Sequence, residues 1–283
     1  MTAWHTLLFY SVVIALGSYV GGLLPRLITM THTRTQLAMS TVSGLMLGVA
    51  FYHLLPHSLG EFGPQYSIDD VVWWLMIGLV SMLLLLRLFH FHQHDFSVAA
   101  DHAHCDHHDH LHAPQQTSQH VSHFSWAGIA LGLSVHTIVD GIALAAVVLA
   151  AQTSATHAAW VGLGVFIAIF LHKPLDAISI ATLTRAAGLS RQKQHLINMG
   201  FALMCPLGAV LFYLGFNAFD GLSSAWLGGT LAFAAGAFIC IALSDLMPEV
   251  HFHSHDKLKL SLAFVVGIVI AYSITFIEPA GLH

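Results

Sequence analysis

Runs of about 20 mostly apolar residues recur along this chain, separated by shorter polar stretches. That is the length a helix needs to cross the hydrocarbon layer of a bilayer. Eight such segments are legible, at about 4–24, 38–57, 71–90, 124–150, 158–184, 196–218, 226–248 and 259–278. The pattern predicts an all-α integral membrane protein with eight transmembrane helices. One polar stretch is far longer than the rest. It divides the chain into 1–90 with helices one to three, a flexible loop at 91–123, and 124–283 with helices four to eight.

Composition agrees with the membrane class. Apolar residues make up 56% of the chain and charged residues 8%, too few to cover a soluble surface. The lipid bilayer is therefore an expected partner and nucleic acid is not. The basic residues set the orientation. Arg26, Arg34, Arg87, Arg185, Arg191, Lys193, Lys257 and Lys259 all fall on one side if the helices alternate. The positive-inside rule then places both termini outside and the long loop in the cytoplasm. The first segment has no basic n-region and no small-x-small site, so it is expected to remain as a span. A bacterial inner membrane is the expected location. Cys105, Cys205 and Cys240 are scattered and odd in number, which suggests no disulfide framework.

Against this apolar background, two neighbouring segments carry the same polar spacing. His136 and Asp140 lie in segment four, His172 and Asp176 in segment five. Four residues apart, each pair shares a helix face one turn apart. Ionisable groups at membrane depth are costly and default to a functional role. Imidazole and carboxylate together suit Zn²⁺, with Fe²⁺, Mn²⁺, Cd²⁺ and Co²⁺ as further candidates. The bland alternative is that each His only hydrogen-bonds its own Asp. Pro174 is expected to free a backbone carbonyl near Phe170 and to kink the helix beside His172. Lys173 opposes a cation site. It is expected to pair with Asp140 or Asp245 or to snorkel away, and in pairing to take the place of a second metal.

Segments two and seven share a form. Gly44, eight residues, His53, two residues, Pro56 and His57 match Gly236, eight residues, Asp245, two residues, Pro248 and Glu249. The two segments run in opposite directions, the pattern of an inverted-repeat transporter. His53 and His57 then sit near the outer end as candidate metal ligands, and Asp245 and Glu249 near the inner end. The loop holds His102, His104, His107, His108, His110 and His112 among acidic residues, and His251, His253 and His255 follow Glu249. The loop is too polar to bury a core and is expected to be disordered without metal.

These residues resemble those of the ZIP family, the zinc/iron-regulated-transporter-like proteins. The likeness covers nearly the whole chain. The family's fourth-helix His-Asn-x-x-Asp/Glu-Gly is similar to His136-Thr137-Ile138-Val139-Asp140-Gly141. Its fifth-helix His-x-x-Pro element is similar to His172-Lys173-Pro174-Leu175-Asp176. Its acidic-x-x-Pro-Glu element is similar to Asp245-Leu246-Met247-Pro248-Glu249. The resemblance implies a three-two-three helix arrangement, an elevator-like movement and influx of Zn²⁺ into the cytoplasm as transported substrate. It implies His136, Asp140, His172 and Asp176 as primary ligands, with Asp245 nearby. Thr137 in place of Asn and Lys173 in place of an acidic ligand depart from the family pattern, and both weaken the case for a binuclear centre; Pro174 falls one position earlier than in the common motif, which implies a different local geometry. A homodimer is a further candidate partner.

Two other classes compete. An intramembrane zinc-dependent hydrolase would hold Zn²⁺ with the same residue types, but there is no His-Glu-x-x-His element. A metal efflux carrier or sensor would also use His-x-x-x-Asp, and the outer termini argue for influx instead.

Overall fold

The structure, a computed structural model, describes residues 3–27, 32–90, 123–153, 161–218, 224–252 and 257–278. The expected loop at 91–123 and the cluster His253 and His255 lie outside these residues, apart from His123 at the start of a helix. Among the described residues, eight helical stretches are long and apolar enough to cross a membrane. They are α1 (Ala3–Leu27), α2 (His32–Val49, continuing through Ala50–Leu54 and Leu55–Phe62), α3 (Ile68–His90) and α4 (His123–Thr153). α5 (Leu163–Ala186), α6 (Arg191–Ala202, continuing as Met204–Ala218), α7 (Ser224–Phe252) and α8 (Lys257–Ile274) complete the bundle.

Helices outrun the apolar segments because backbone hydrogen bonding continues past the hydrocarbon layer. α2 extends beyond both expected ends, and α6 begins at Arg191. Two irregularities have a local cause. In α2, residues Ala50–Leu54 form a wider π turn just ahead of Pro56, which has no N–H to give to the Tyr52 carbonyl. In α6, the helix breaks at Leu203, four residues before a backbone N–H that bonds past Pro206 to the Leu203 carbonyl. α5, by contrast, runs through Pro174 as one helix.

The helices pair most extensively as α2 with α8, α3 with α7, α4 with α6, and α1 with α5. Exchanging α1 with α6, α2 with α7, α3 with α8 and α4 with α5 maps this set of pairs onto itself. That is a three-two-three inverted repeat. The glycines matched in the sequence repeat do equivalent work. A Cβ on Gly44 would fall on the Phe264 carbonyl of α8, and one on Gly267 would fall on the Thr41 carbonyl of α2. Likewise, a Cβ on Gly236 would fall on the Leu75 carbonyl of α3, and one on Gly78 on the Phe233 carbonyl of α7. With no hydrophobic drive between helices in lipid, this close backbone contact supplies the packing energy. α2 and α7 run antiparallel, with Ser58 Oγ near the end of α2 donating to the Gly228 carbonyl near the start of α7.

Large apolar side chains on the outer faces stay exposed, including Trp73, Leu84 and Leu88 on α3 and Leu258, Leu262 and Val265 on α8. Lipid is the solvent for these positions. α4 and α7 lie largely buried at the centre.

Candidate metal site

α4 and α5 face one another through their polar stripes. His136, Asp140 and His172 bring one ligand atom each to within 4.8 Å of one another, and all three are buried. This is the one such group among the described residues. Asp140 Oδ2 lies 3.4 Å from His136 Nε2 and 3.3 Å from His172 Nε2. The two imidazoles lie near-parallel, with ring centroids 5.7 Å apart. Phe238 of α7 meets the His172 ring edge-on.

The tautomer of His172 follows from its other nitrogen. Nδ1 donates to the Ala168 carbonyl one turn back, at 2.8 Å. In the neutral ring, Nε2 then presents a lone pair toward Asp140. Fixing the outward nitrogen against a backbone carbonyl is how metal-binding His residues are commonly oriented. A lone pair facing a carboxylate is repulsive unless a cation or a proton lies between them. His136 Nδ1 and Asp140 Oδ1 are buried with no hydrogen-bond partner. Buried polar atoms rarely go unmatched, so this centre is unsaturated.

A cation is already present beside it. The Lys173 ammonium is fully buried, so the side chain does not snorkel. It donates to Asp140 Oδ2 at 2.5 Å, to Asp176 Oδ2 at 2.8 Å and to Thr137 Oγ1 at 3.1 Å. These three bonds use its three donors. Thr137 in turn donates to the Leu133 carbonyl, which leaves its oxygen lone pairs free to accept from Lys173. Asp176 lies farther from the imidazoles, at 3.8 Å from His136 Nε2 and 4.0 Å from His172 Nε2. It is joined to the centre through Lys173. Pro174 turns to the other side of α5, where a Cβ on Gly21 of α1 would strike it.

The remaining sequence candidates lie elsewhere. His53 and His57 are buried near the far end of α2. His53 Nδ1 is 2.8 Å from Glu278 Oε2, and its Nε2 is 2.9 Å from the Ala271 carbonyl. His57 Nδ1 donates to the His53 carbonyl at 2.5 Å. Asp245 and Glu249 fall within α7, but their side chains lie outside the described residues. Sequence reasoning missed Glu278. It is buried, and its Oε1 accepts from the Gly164 backbone N–H at 3.0 Å. Its one sequence signal is a lone acid at the end of an otherwise apolar segment.

A helical membrane bundle with a buried, unsaturated His/Asp cluster defines a class: polytopic proteins that handle a divalent cation within the bilayer. Residues 89–275 match the family model described as ZIP Zinc transporter. The chain belongs to that family and is a zinc transporter. It is similar to Zinc transporter ZIP9-B of Xenopus laevis, 27% identical across 87% of this chain and 86% of that protein. It is similar also to Zinc transporter ZIP9 of Micropogonias undulatus, 26% identical with both chains covered in full. Zinc transporter ZIP9 of Macaca fascicularis is 34% identical across 53% of this chain and 66% of that one. Membership in a transporter family sets the hydrolase alternative aside.

Proposed function

We propose that the chain carries Zn²⁺ inward, into the cytoplasm, by alternating access to one site formed by His136, Asp140 and His172. The observation that supports this reading is the convergence of three ligand atoms within 4.8 Å, with a second carboxylate, Asp176, beside them. Three protein ligands leave a fourth tetrahedral position for water or for Asp176. No thiolate takes part, so the ion is held loosely enough to leave again.

Lys173 is the internal cation of this site. Its charge offsets part of the two carboxylate charges while no metal is bound. An arriving ion displaces the ammonium from Asp140, and Lys173 stays on Asp176 and Thr137. This gives one transport site, not two. Fe²⁺, Mn²⁺, Cd²⁺ and Co²⁺ suit the same ligands as secondary cargo. Asp245 and Glu249 receive the ion at the inner end, and His57 and His53 meet it at the outer end once the bonds to His53 open. The Lys and Arg distribution supports outer termini and a cytoplasmic His-rich loop, and an inner-membrane location is part of the same proposal. A homodimer is the assembly we propose.

Uptake of ⁶⁵Zn²⁺ into proteoliposomes tests the reading. The double variant His136→Ala, Asp140→Ala is expected to lose uptake with its helical circular-dichroism signal intact. Wild-type uptake by that variant rejects the site. Net outward Zn²⁺ flux at equal Zn²⁺ on both sides, under an imposed pH gradient or membrane potential, rejects the direction.

A further inference from the structure

The most extensive helix contacts fall within two groups, α1, α4, α5 and α6 on one side and α2, α3, α7 and α8 on the other, and the groups meet chiefly where α4 packs on α7 and α2 on α5. The centre rides wholly in the first group. His136, Thr137 and Asp140 belong to α4, and His172, Lys173 and Asp176 to α5.

Glu278 reaches from one group to the other. It lies just past α8, where its own N–H bonds the Ile274 carbonyl. One carboxylate oxygen holds His53 in the π turn of α2, within its own group. The other accepts from Gly164 in the first turn of α5, in the site-bearing group. That amide is among the N-terminal N–H groups that have no partner inside their own helix, and a carboxylate is favoured there. Gly164 is required for the fit, because a Cβ there would come within 2.7 Å of the His53 ring. Both acceptors around His53 are engaged, and both His53 and Glu278 are almost fully buried, at 1% and 4% exposure. Farther along α5 and past the centre, Asp176 keeps 22% of its side chain exposed. Among the described residues, His53 and Glu278 at the Gly164 end are buried, whereas Asp176 beyond the centre is partly exposed.

We propose that Glu278 is a latch: it fastens the first turn of α5 to α2 and α8 and keeps the outer approach to the site closed until it releases. This rests on the transport reading above. A metal ion arriving from that end binds only the unlatched fraction, so its apparent affinity is reduced by that fraction. Weakening the latch enlarges the fraction and lowers KM. A residue with a merely structural role would lower kcat or yield and leave KM where it was.

The test measures KM and kcat for Zn²⁺ uptake by wild type, Glu278→Gln and Glu278→Ala in proteoliposomes, with amide hydrogen exchange over residues 163–168. Glu278→Gln keeps the shape and an acceptor for Gly164, so it remains informative if Glu278→Ala folds poorly. The expected result is a KM lowered about fivefold in Glu278→Ala and less in Glu278→Gln, with faster exchange in the first turns of α5. An unchanged or raised KM, or unchanged exchange, overturns the latch. The exchange contrast needs no transport. It therefore judges the latch even where uptake by the His136→Ala, Asp140→Ala variant has rejected the site.

Discussion

Two places in this bundle bury a histidine against a carboxylate, and they are built in opposite ways. At the α4/α5 centre, His136 and His172 both turn Nε2 toward one oxygen of Asp140, and buried atoms on His136 and Asp140 lack partners. At the α2/α5/α8 junction, each ring nitrogen of His53 meets its own acceptor, and each oxygen of Glu278 has its own donor. The first arrangement leaves donor atoms for the cation we propose. The second is complete and ties helices together. A His–acid pair inside a membrane is thus not a metal site by composition, and the state of the remaining lone pairs decides which it is.

The largest expected effect comes from altering the charge at the centre. Asp140→Asn keeps the shape but removes the anion that both imidazoles and Lys173 face. Zn²⁺ uptake in proteoliposomes is expected to fall about 100-fold or more, since a ligand active in binding and transfer is lost. Uptake within a few-fold of wild type would mean that Asp140 serves only to neutralise Lys173.

Lys173 gives the next largest effect. Lys173→Met removes the ammonium and leaves two carboxylates free for metal. Zn²⁺ affinity by titration calorimetry is expected to rise about tenfold, with slower turnover because release becomes limiting. Lys173→Glu is expected to bind a second equivalent of Zn²⁺. Unchanged stoichiometry and affinity in both variants would show that the lysine does not stand in for a metal.

The two regions should also differ in how much stability they carry. His53→Ala strands the Glu278 carboxylate in a buried place and is expected to cost about 2 kcal/mol, read as a lower melting temperature in detergent. His136→Ala relieves a centre that is already unsaturated, so its melting temperature is expected to stay close to wild type while uptake collapses. Equal thermal losses in the two variants would erase the distinction between them.

What the sequence could convey followed the range of the interactions. The His136/Asp140 and His172/Asp176 pairs were legible because one helix turn fixes their spacing, and apolar surroundings made them stand out. The Gly44 and Gly236 match pointed correctly to an inverted repeat, since the same backbone crossing demands the same missing side chain in both halves. Lys173 was legible as a conflict but not in its geometry. Asp176, three residues on, shares it with Asp140 from the facing helix, and Asp245 was an equally good partner on sequence grounds. Glu278 was beyond reach. It lies 225 positions from His53, and no periodicity links the end of α8 to a π turn in α2. The π turn itself depends on how the chain accommodates Pro56, which a helical pattern does not reveal.

The smallest expected effect concerns the His-rich loop, and it marks where the comparison stops. If transport depends on an unsaturated centre in α4 and α5 and on closure at the far end of the bundle, a polar segment between α3 and α4 contributes neither a ligand to that centre nor a tie between the helix groups. Its many imidazoles would instead bind ions after release, changing how uptake responds to accumulated metal. Deleting 95–120 is therefore expected to leave the initial rate of Zn²⁺ uptake within about twofold of wild type. The difference should emerge later, as an altered plateau when vesicles are preloaded with metal. Abolished initial uptake at normal membrane abundance would instead make the loop part of the route, and the contrast between centre and junction would no longer account for transport.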